Sequence, residues 1–264
     1  MSFVPANSDH AIVEVVFGIT TSRPFAPHEI EKLHKNHSKW KDELPRIARS
    51  ASFPFFNNEA MFPAGFPIQM GAGIAFERFK PDGNLEWRIF LENNNIFVNC
   101  LSYTRWEEVW GRAHSYFKDV LALVGTPDNV INGASLQYIN SFKWDGNKED
   151  YDVKEILSFD SHVPASVATK GHLWHLHQGW FDQTAEGRIL ERVHVDGIED
   201  ESASPIIRFD AYIQQQLTSP QAAQEIVKSG WLDSTFTSMH DRNKKMLKSF
   251  IVEKMAERIN LNVA

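Results

Sequence analysis

This sequence predicts an α+β fold of two similar halves, each a mainly antiparallel four-stranded sheet covered by one long helix. Short β-branched and aromatic runs separated by turn signals predict strands, and stretches with an apolar stripe at helical spacing predict helices. The order strand, helix, three strands, long helix occurs twice, with little letter-by-letter identity. We expect the halves, residues 1–126 and 127–264, to join edge to edge as one compact unit with both long helices on the same side.

The first half opens with HAIVEVVFGIT, residues 10–20, a β-branched and aromatic run that predicts a strand. Both faces of this run are mostly apolar, so the strand is expected in the middle of the sheet. Glu14 would then be a half-buried acid that needs a partner. Pro27 fits the first position of a helix that carries Ile30 and Leu33 on one face.

The segment 51–70 holds five phenylalanines, three prolines and a single charge. Its prolines exclude a long helix or a central strand, and a loop of this length is often functional. If the aromatic side chains are exposed, they form a patch suited to anchor another protein; alternatively, the loop folds back and fills the interface of sheet and helix. The candidate binding residues are Phe53, Phe55, Phe56, Phe62 and Phe66.

Residues 72–103 predict a three-stranded meander with turns at Pro-Asp-Gly-Asn and Asn-Asn-Asn. Thr104 and Glu107 have the spacing of a capping box and predict the start of a helix that ends at Gly125.

The second half begins with a strand predicted over residues 129–144, followed by a short helix within EDYDVKEIL. Three strands follow, over residues 168–182, 187–198 and 205–217. A short helix is predicted after Pro220, and a long one from about Asp233 to Ile259 with a continuous apolar stripe.

Composition narrows the function classes. The net charge of −7 argues against general nucleic-acid binding, which usually needs a basic surplus. The single cysteine, Cys100, rules out a disulfide framework within the chain and a cysteine-rich zinc site, and its place inside a strand predicts a buried, inert thiol. Neither a secretory signal nor a membrane-spanning run is recognisable, so a cytoplasmic protein without membrane association is expected.

The stretch GHLWHLHQGWFD, residues 171–182, contains three histidines. On a strand, His175 and His177 point the same way at a spacing that permits two imidazoles on one metal. A third ligand could be His194 in the next strand, or an acid such as Glu191 or Asp196. The alternative, which we favour, is that His175 and His177 face solvent or cross-strand neighbours while Trp174 and Leu176 face the core.

Catalytic motifs are not recognisable in the sequence, which contains no nucleophile elbow, phosphate-binding glycine loop, dinucleotide fingerprint or His-Glu-x-x-His. We therefore expect no cofactor, and an enzyme is the less favoured reading.

Two polar pairs occupy apolar surroundings. His240 and Asn243 lie one turn apart on the stripe of the last helix, where they either line a pocket between helix and sheet or bond to backbone or to Glu14. Glu14 and Asp210 are strand acids that either act as an acid with a raised pKa or pair with an arginine such as Arg208 or Arg192.

Four segments resemble a sporadically distributed bacterial family of about 260 residues: HAIVEVVFGI, LSYTRWEEVW, LQYINSF and MHDRNKKMLKSFI. The resemblance covers nearly the whole chain and implies no established activity or catalytic residues. Where the family often has Arg-Tyr-Ile-Asn, this chain has Gln137 followed by Tyr-Ile-Asn, so an ion pair of this position with Glu14 is not expected. A patchy distribution suits mobile or defence loci, with a role as sensor, inhibitor or accessory factor.

The predicted function is therefore that of a non-enzymatic protein that binds a protein partner. The expected surfaces are the loop 51–70 and the cleft between the halves, with homo-oligomers also allowed. Two alternatives stay open. One is a metal-dependent enzyme using His175, His177 and His194, and the other is a small-ligand site between the halves.

Overall fold

A computed structural model of the chain describes residues 2–50, 73–159 and 162–261. The segment 51–70 lies outside the described residues, and with it lie the candidate binding residues Phe53, Phe55, Phe56, Phe62 and Phe66. The predicted α+β class is confirmed, because the described chain combines one large antiparallel sheet with five α-helices.

The described part of the chain forms a single sheet of ten strands. The strands are β1 (Ser2–Pro5), β2 (Ile12–Thr21), β3 (Arg46–Ser50), β4 (Gly73–Phe79), β5 (Leu85–Glu92), β6 (Asn95–Cys100), β7 (Ile131–Asp145), β8 (Trp174–Gln183), β9 (Gly187–Glu199) and β10 (Pro205–Gln221). Their order is β3–β4–β5–β6–β2–β7–β10–β9–β8, every neighbouring pair is antiparallel, and β1 pairs with the end of β7.

The strand predicted over residues 10–20 lies in the middle of this sheet, as its two apolar faces indicate. It pairs with β6 on one side and with β7 on the other, where Phe17 lies opposite Leu136. Strands β1 and β3 were not predicted. Each has five residues or fewer, too short a run to show a clear alternation of apolar and polar positions.

Five helices accompany the sheet. They are α1 (Pro27–Lys35), α2 (Trp106–Val124), α3 (Ala223–Lys228), α4 (Trp231–Phe250) and α5 (Glu253–Arg258). Neighbouring helices touch in the order α1, α2, α3, α4, while α2 packs on β6 and α4 on β7 and β10, so these four form a layer on one face of the sheet. No helix in the described ranges is long and apolar enough to cross a bilayer.

The continuous helix predicted from Asp233 to Ile259 is wrong. Helix α4 ends at Phe250 and α5 begins at Glu253, because the chain at Ile251 is extended and forms an isolated bridge with Leu157. Pairing with this distant segment uses backbone groups that a continuous helix would have bonded internally.

Two local predictions also need correction. The segment EDYDVKEIL forms two short 3₁₀ turns, Lys148–Asp150 and Val153–Glu155, in place of an α-helix. The capping box at the start of α2 does not form, because the Thr104 hydroxyl donates to the Glu108 carboxylate at 2.9 Å and Arg105 occupies the N-cap position.

Helix α4 is joined to the rest of the molecule by Phe236, whose side chain is fully buried. Its ring lies 5.7 Å from that of Phe17 on β2, 4.6 Å from Trp110 on α2 and 5.7 Å from Phe117, also on α2. One aromatic side chain therefore links the first and second halves through both layers.

We expect Phe236→Ala to lower the free energy of unfolding by about 3–5 kcal/mol, because it empties a packed site between two helices and the sheet. Urea denaturation measures this change. The matched control is Phe181→Ala, since Phe181 is 60 % exposed and its loss should change stability far less. Equal effects of the two substitutions would contradict the assigned role of Phe236.

Candidate functional site

A groove of about 960 Å³ runs between α4 and the helix-facing side of β8 and β9. It exists because α4 packs over β7 and β10 and leaves the two outer strands of the second half less covered. The groove is lined by Trp180, Asp182, Glu191, Asp233, Ser234, Thr237, Ser238, Asp241, Arg242, Lys245, Met246 and Ser249.

An ion-pair network crosses this groove from α4 to the sheet. The Arg242 guanidinium donates to Asp182 at 2.9 Å and also to Glu191, whose second carboxylate oxygen accepts from the Trp180 indole at 2.9 Å. Burial alone would lower the pKa of Arg242, but its bonds to the two carboxylates raise that pKa above its usual value. Arg242 therefore stays charged and fixes α4 relative to β8 and β9.

The remaining charges give the groove an acidic character. Its lining has four carboxylates and two cations, and Arg242 is already engaged with two of those carboxylates. Asp233 and Asp241 are exposed on α4, and Asp233 accepts a hydrogen bond of 2.8 Å from the indole of Trp110. Asp233 also lies 4.0 Å from the ring of His114, whereas Asp241 has no ion-pair partner among the described residues, and the acidic surplus favours a cationic occupant.

Beside the groove lies the outer edge of β8. Within the described chain this ten-residue strand pairs with β9 alone, and its register with β9 has no shift. It contains neither proline nor lysine, the residues that commonly protect such edges. Phe181 is 60 % exposed on it, and Leu173, which precedes it, is 59 % exposed.

The histidine-rich stretch falls mainly on β8, with its side chains alternating as predicted. Trp174 and Leu176 pack against the core, whereas His175 and His177 are exposed. The ring of His194 lies 6.1 Å from that of His175 and 5.5 Å from that of His177, so the fold does bring the three together.

These rings do not complete a metal site in the part of the chain that the structure describes, where no group of three histidine, cysteine or acidic side chains has the geometry to hold an ion. His194 Nε2 lies 3.0 Å from the Asp196 carboxylate instead. Burial, followed by the neighbouring His194, lowers the pKa of His177. Cys100 is fully buried, and burial raises the pKa of its thiol to about 12, so it is a poor nucleophile at neutral pH.

His240 and Asn243 line one cavity of about 70 Å³ between α4 and the sheet. The cavity wall consists of His10, Ala11, Ile12, Tyr138, Asn140, His240, Asn243, Lys244, Leu247, Ile259 and Leu261, and thus draws on both halves. Asn243 donates to the backbone oxygen of Ala211 at 3.2 Å, as one of the two sequence-based readings expected.

His240 is held by its neighbours on two sides. Its ring stacks on Trp106 of α2 with centroids 4.1 Å apart, and its Nδ1 lies 2.9 Å from the Tyr138 hydroxyl. Burial, with a smaller effect from the Lys244 charge, lowers the pKa of His240 to about 4. The imidazole is therefore neutral at physiological pH.

The two strand acids find amide partners on the sheet face away from the helices. Asn99 donates to Glu14 at 2.7 Å, and Gln137 donates to Asp210 at 2.6 Å. The Gln137 amide on the adjacent strand is thus a partner of Asp210 that the sequence-based alternatives did not include.

Sequence reasoning missed the groove, since its residues come from three separate elements. A signal was nevertheless present: the alternation of β9 places Glu191 on the same face as Ile189 and Val193, and an acid on an apolar face requires a partner. Trp180 and Arg242 supply that partner.

No protein-family model, curated protein or solved structure matches this chain. The resemblance to the sporadically distributed bacterial family stays a prediction.

We expect Arg242→Met to lower the free energy of unfolding by about 1–3 kcal/mol, because Glu191 then keeps only the Trp180 indole as a partner in a buried position. Urea denaturation is the measurement. Arg105→Met is the control, since Arg105 forms an exposed pair with Glu108 on one helix, and such pairs contribute little. A loss no larger than that of the control would show that the network does not hold α4 in place.

A second prediction concerns His240 and acid. Its folded-state pKa of about 4 lies below that of an unfolded histidine, about 6.5, so the unfolded chain binds the proton first as the pH falls. The contribution of His240 to stability is complete above about pH 6.5 and should be lost, by about 1–3 kcal/mol, as the pH falls to about 4. His240→Phe keeps an aromatic ring on Trp106 and should remove this part of the pH dependence in urea denaturation at a series of pH values. If wild type and variant have the same pH profile, His240 does not titrate as assigned.

Proposed function

We propose that this protein is a non-enzymatic binding protein that takes up an extended, basic segment of a protein partner along β8 and the acidic groove beside it. The observation that carries the proposal is the combination of a long, unprotected strand edge with an adjoining groove of acidic character. The segment 51–70 is a further candidate surface, predicted from its aromatic residues.

The strand edge supports an extended occupant. A free edge presents a row of backbone donors and acceptors, and an added strand satisfies them while alternate side chains enter neighbouring pockets. Backbone hydrogen bonds from other described residues do not reach the outer side of β8. The exposed Phe181 on the strand supplies apolar contact area for a partner.

The groove supports a basic occupant. Its volume of about 960 Å³ can take several side chains, and its rim carries Ser234, Thr237 and Ser238 as hydrogen-bonding hydroxyls. Asp233 and Asp241 offer carboxylates to a lysine or arginine, while Lys245 limits how many cations can enter. Charge complementarity of this kind sets the orientation and choice of partner.

We propose further that the two halves are structural duplicates. The arrangement β4–β5–β6–β2 has its counterpart in β8–β9–β10–β7, with β2 and β7 meeting antiparallel at the centre. Each set of four is followed by a long helix, α2 or α4, in the same layer. This arrangement is what a two-fold axis through the β2–β7 pair would produce.

Selection of displayed random peptides on the purified protein tests the proposed function. We expect enrichment of peptides with lysine or arginine at alternate positions, and about tenfold weaker binding of a synthetic selected peptide to Asp233→Asn/Asp241→Asn. Asparagine keeps the side-chain oxygen that accepts from Trp110, so the fold is conserved.

Asp9→Asn/Asp145→Asn is the matched control, because it removes the same charge from two exposed positions away from the groove. Its affinity should stay within about twofold of wild type. Equal losses in both double variants, or enrichment of peptides without basic residues, would contradict the assignment of the groove. Dimerisation through β8 would appear in sedimentation and would replace the foreign partner by a second copy.

A further inference from the structure

The cavity around His240 has the composition of a built ligand site. It lies on the opposite side of α4 from the groove and shares no lining residue with it, so an inference about it does not rest on the proposed function. Its walls are largely aliphatic, with Ala11, Ile12, Leu247, Ile259 and Leu261. A few polar side chains converge on this apolar space.

Asn140 is the first of these polar groups. The residue is 2 % exposed and lines the cavity from β7, yet its side-chain amide forms no hydrogen bond with the residues that the structure describes. Its amide is not among the fully enclosed polar atoms without a partner, so it borders the accessible space of the cavity, where a ligand can bond to it. Asn243 adds a second amide, whose nitrogen is already used on Ala211.

His240 offers a ring nitrogen. Its Nδ1 lies 2.9 Å from the hydroxyl of Tyr138, which also interacts with Tyr103, while its Nε2 has no hydrogen-bond partner among the described residues. The other histidine of the wall, His10, is occupied by the Tyr103 carbonyl at 3.2 Å and the Asn7 amide at 3.4 Å. His240 is thus the imidazole left for a ligand.

Lys244 supplies positive charge. It is half-buried on the cavity wall and forms no ion pair with any described residue. The lining residues that the structure describes include no aspartate or glutamate, although the chain as a whole carries a net charge of −7. Asp241 and Glu107 influence His240 electrostatically from outside the lining. An ammonium without a described ion-pair partner, on the same wall as the Asn140 amide, is suited to an anion.

We propose that this cavity binds a small aliphatic monocarboxylate, with its carboxylate held by Lys244 and Asn140, beside His240, and its chain against the aliphatic wall. A volume of about 70 Å³ has room for about five non-hydrogen atoms, given the space that one water needs, and this suits a short-chain carboxylate.

The experiment uses propionate as the probe and propionamide and propylammonium as matched neutral and cationic probes of the same size, at constant ionic strength. Nuclear magnetic resonance follows the Asn140 side-chain amide and the His240 ring. We expect propionate to shift both saturably, propionamide to bind at least about tenfold more weakly, and propylammonium not to bind. Equal affinity for propionate and propionamide, or no saturable shift with propionate, would overturn the proposal.

Two neighbouring lysines provide the matched variants. Lys244→Met should weaken propionate binding about tenfold, whereas Lys245→Met, one residue further along and facing the groove, should leave it within about twofold. Equal losses would show that the effect is one of net charge and would remove Lys244 from the site.

Asn140→Leu replaces the polar side chain with an apolar one and should abolish propionate binding. A urea unfolding curve checks that this variant is folded, and retained binding would contradict the role of Asn140.

Discussion

The antiparallel pairing of β2 with β7 is the contact on which the rest of the structure depends. Without it, the two parts of the sheet would be joined only through the short β1, which pairs with the end of β7, and β2 would have a free edge. With it, both central strands are covered on both sides, Phe17 lies opposite Leu136, and α2 and α4 meet above the seam through Phe236. The outer edges are then β3 and β8, and of these β8 adjoins the groove.

Helix α4 carries both proposed sites because its polar residues fall on two different sides. Asn243, Lys244 and Leu247 follow His240 at spacings of three, four and seven, which places them on one face toward the cavity. Asp241, Arg242, Lys245 and Ser249 turn the other way, toward the outer strands. A helix seated directly over β8 and β9 would leave no groove, so its position over β7 and β10 creates the site.

Much of the fold could be predicted because its signals are local. Alternating side chains and the turn residues between them placed β4–β6 and β8–β10, and the apolar faces of residues 10–20 placed that strand at the centre. The break in the last helix was not predicted, because Ile251 pairs with the distant Leu157 and no residue next to Ile251 signals the end of a helix. The groove escaped for the same reason: Glu191 and Arg242 meet only when the sheet and the helix layer are assembled.

The candidate site residues show the same difference between local signals and contacts of distant segments. His240 and Asn243 were identified because polar groups on a helical stripe are anomalous in the sequence itself, and the structure places both in one cavity. Asn140 was not identified, because an asparagine in a strand is not unusual in a sequence. Only the structure shows that it is buried without a side-chain hydrogen bond to another described residue.

Hydrogen–deuterium exchange of the chain, alone and saturated with a basic peptide that binds it, tests the central claim most directly. Added-strand binding places the peptide backbone on the outer edge of β8, so amide exchange within Trp174–Gln183 should slow in the complex while the other outer strand, β3, is unchanged. Saturating binding with unchanged exchange in β8 would contradict the account, because the partner would then be held elsewhere.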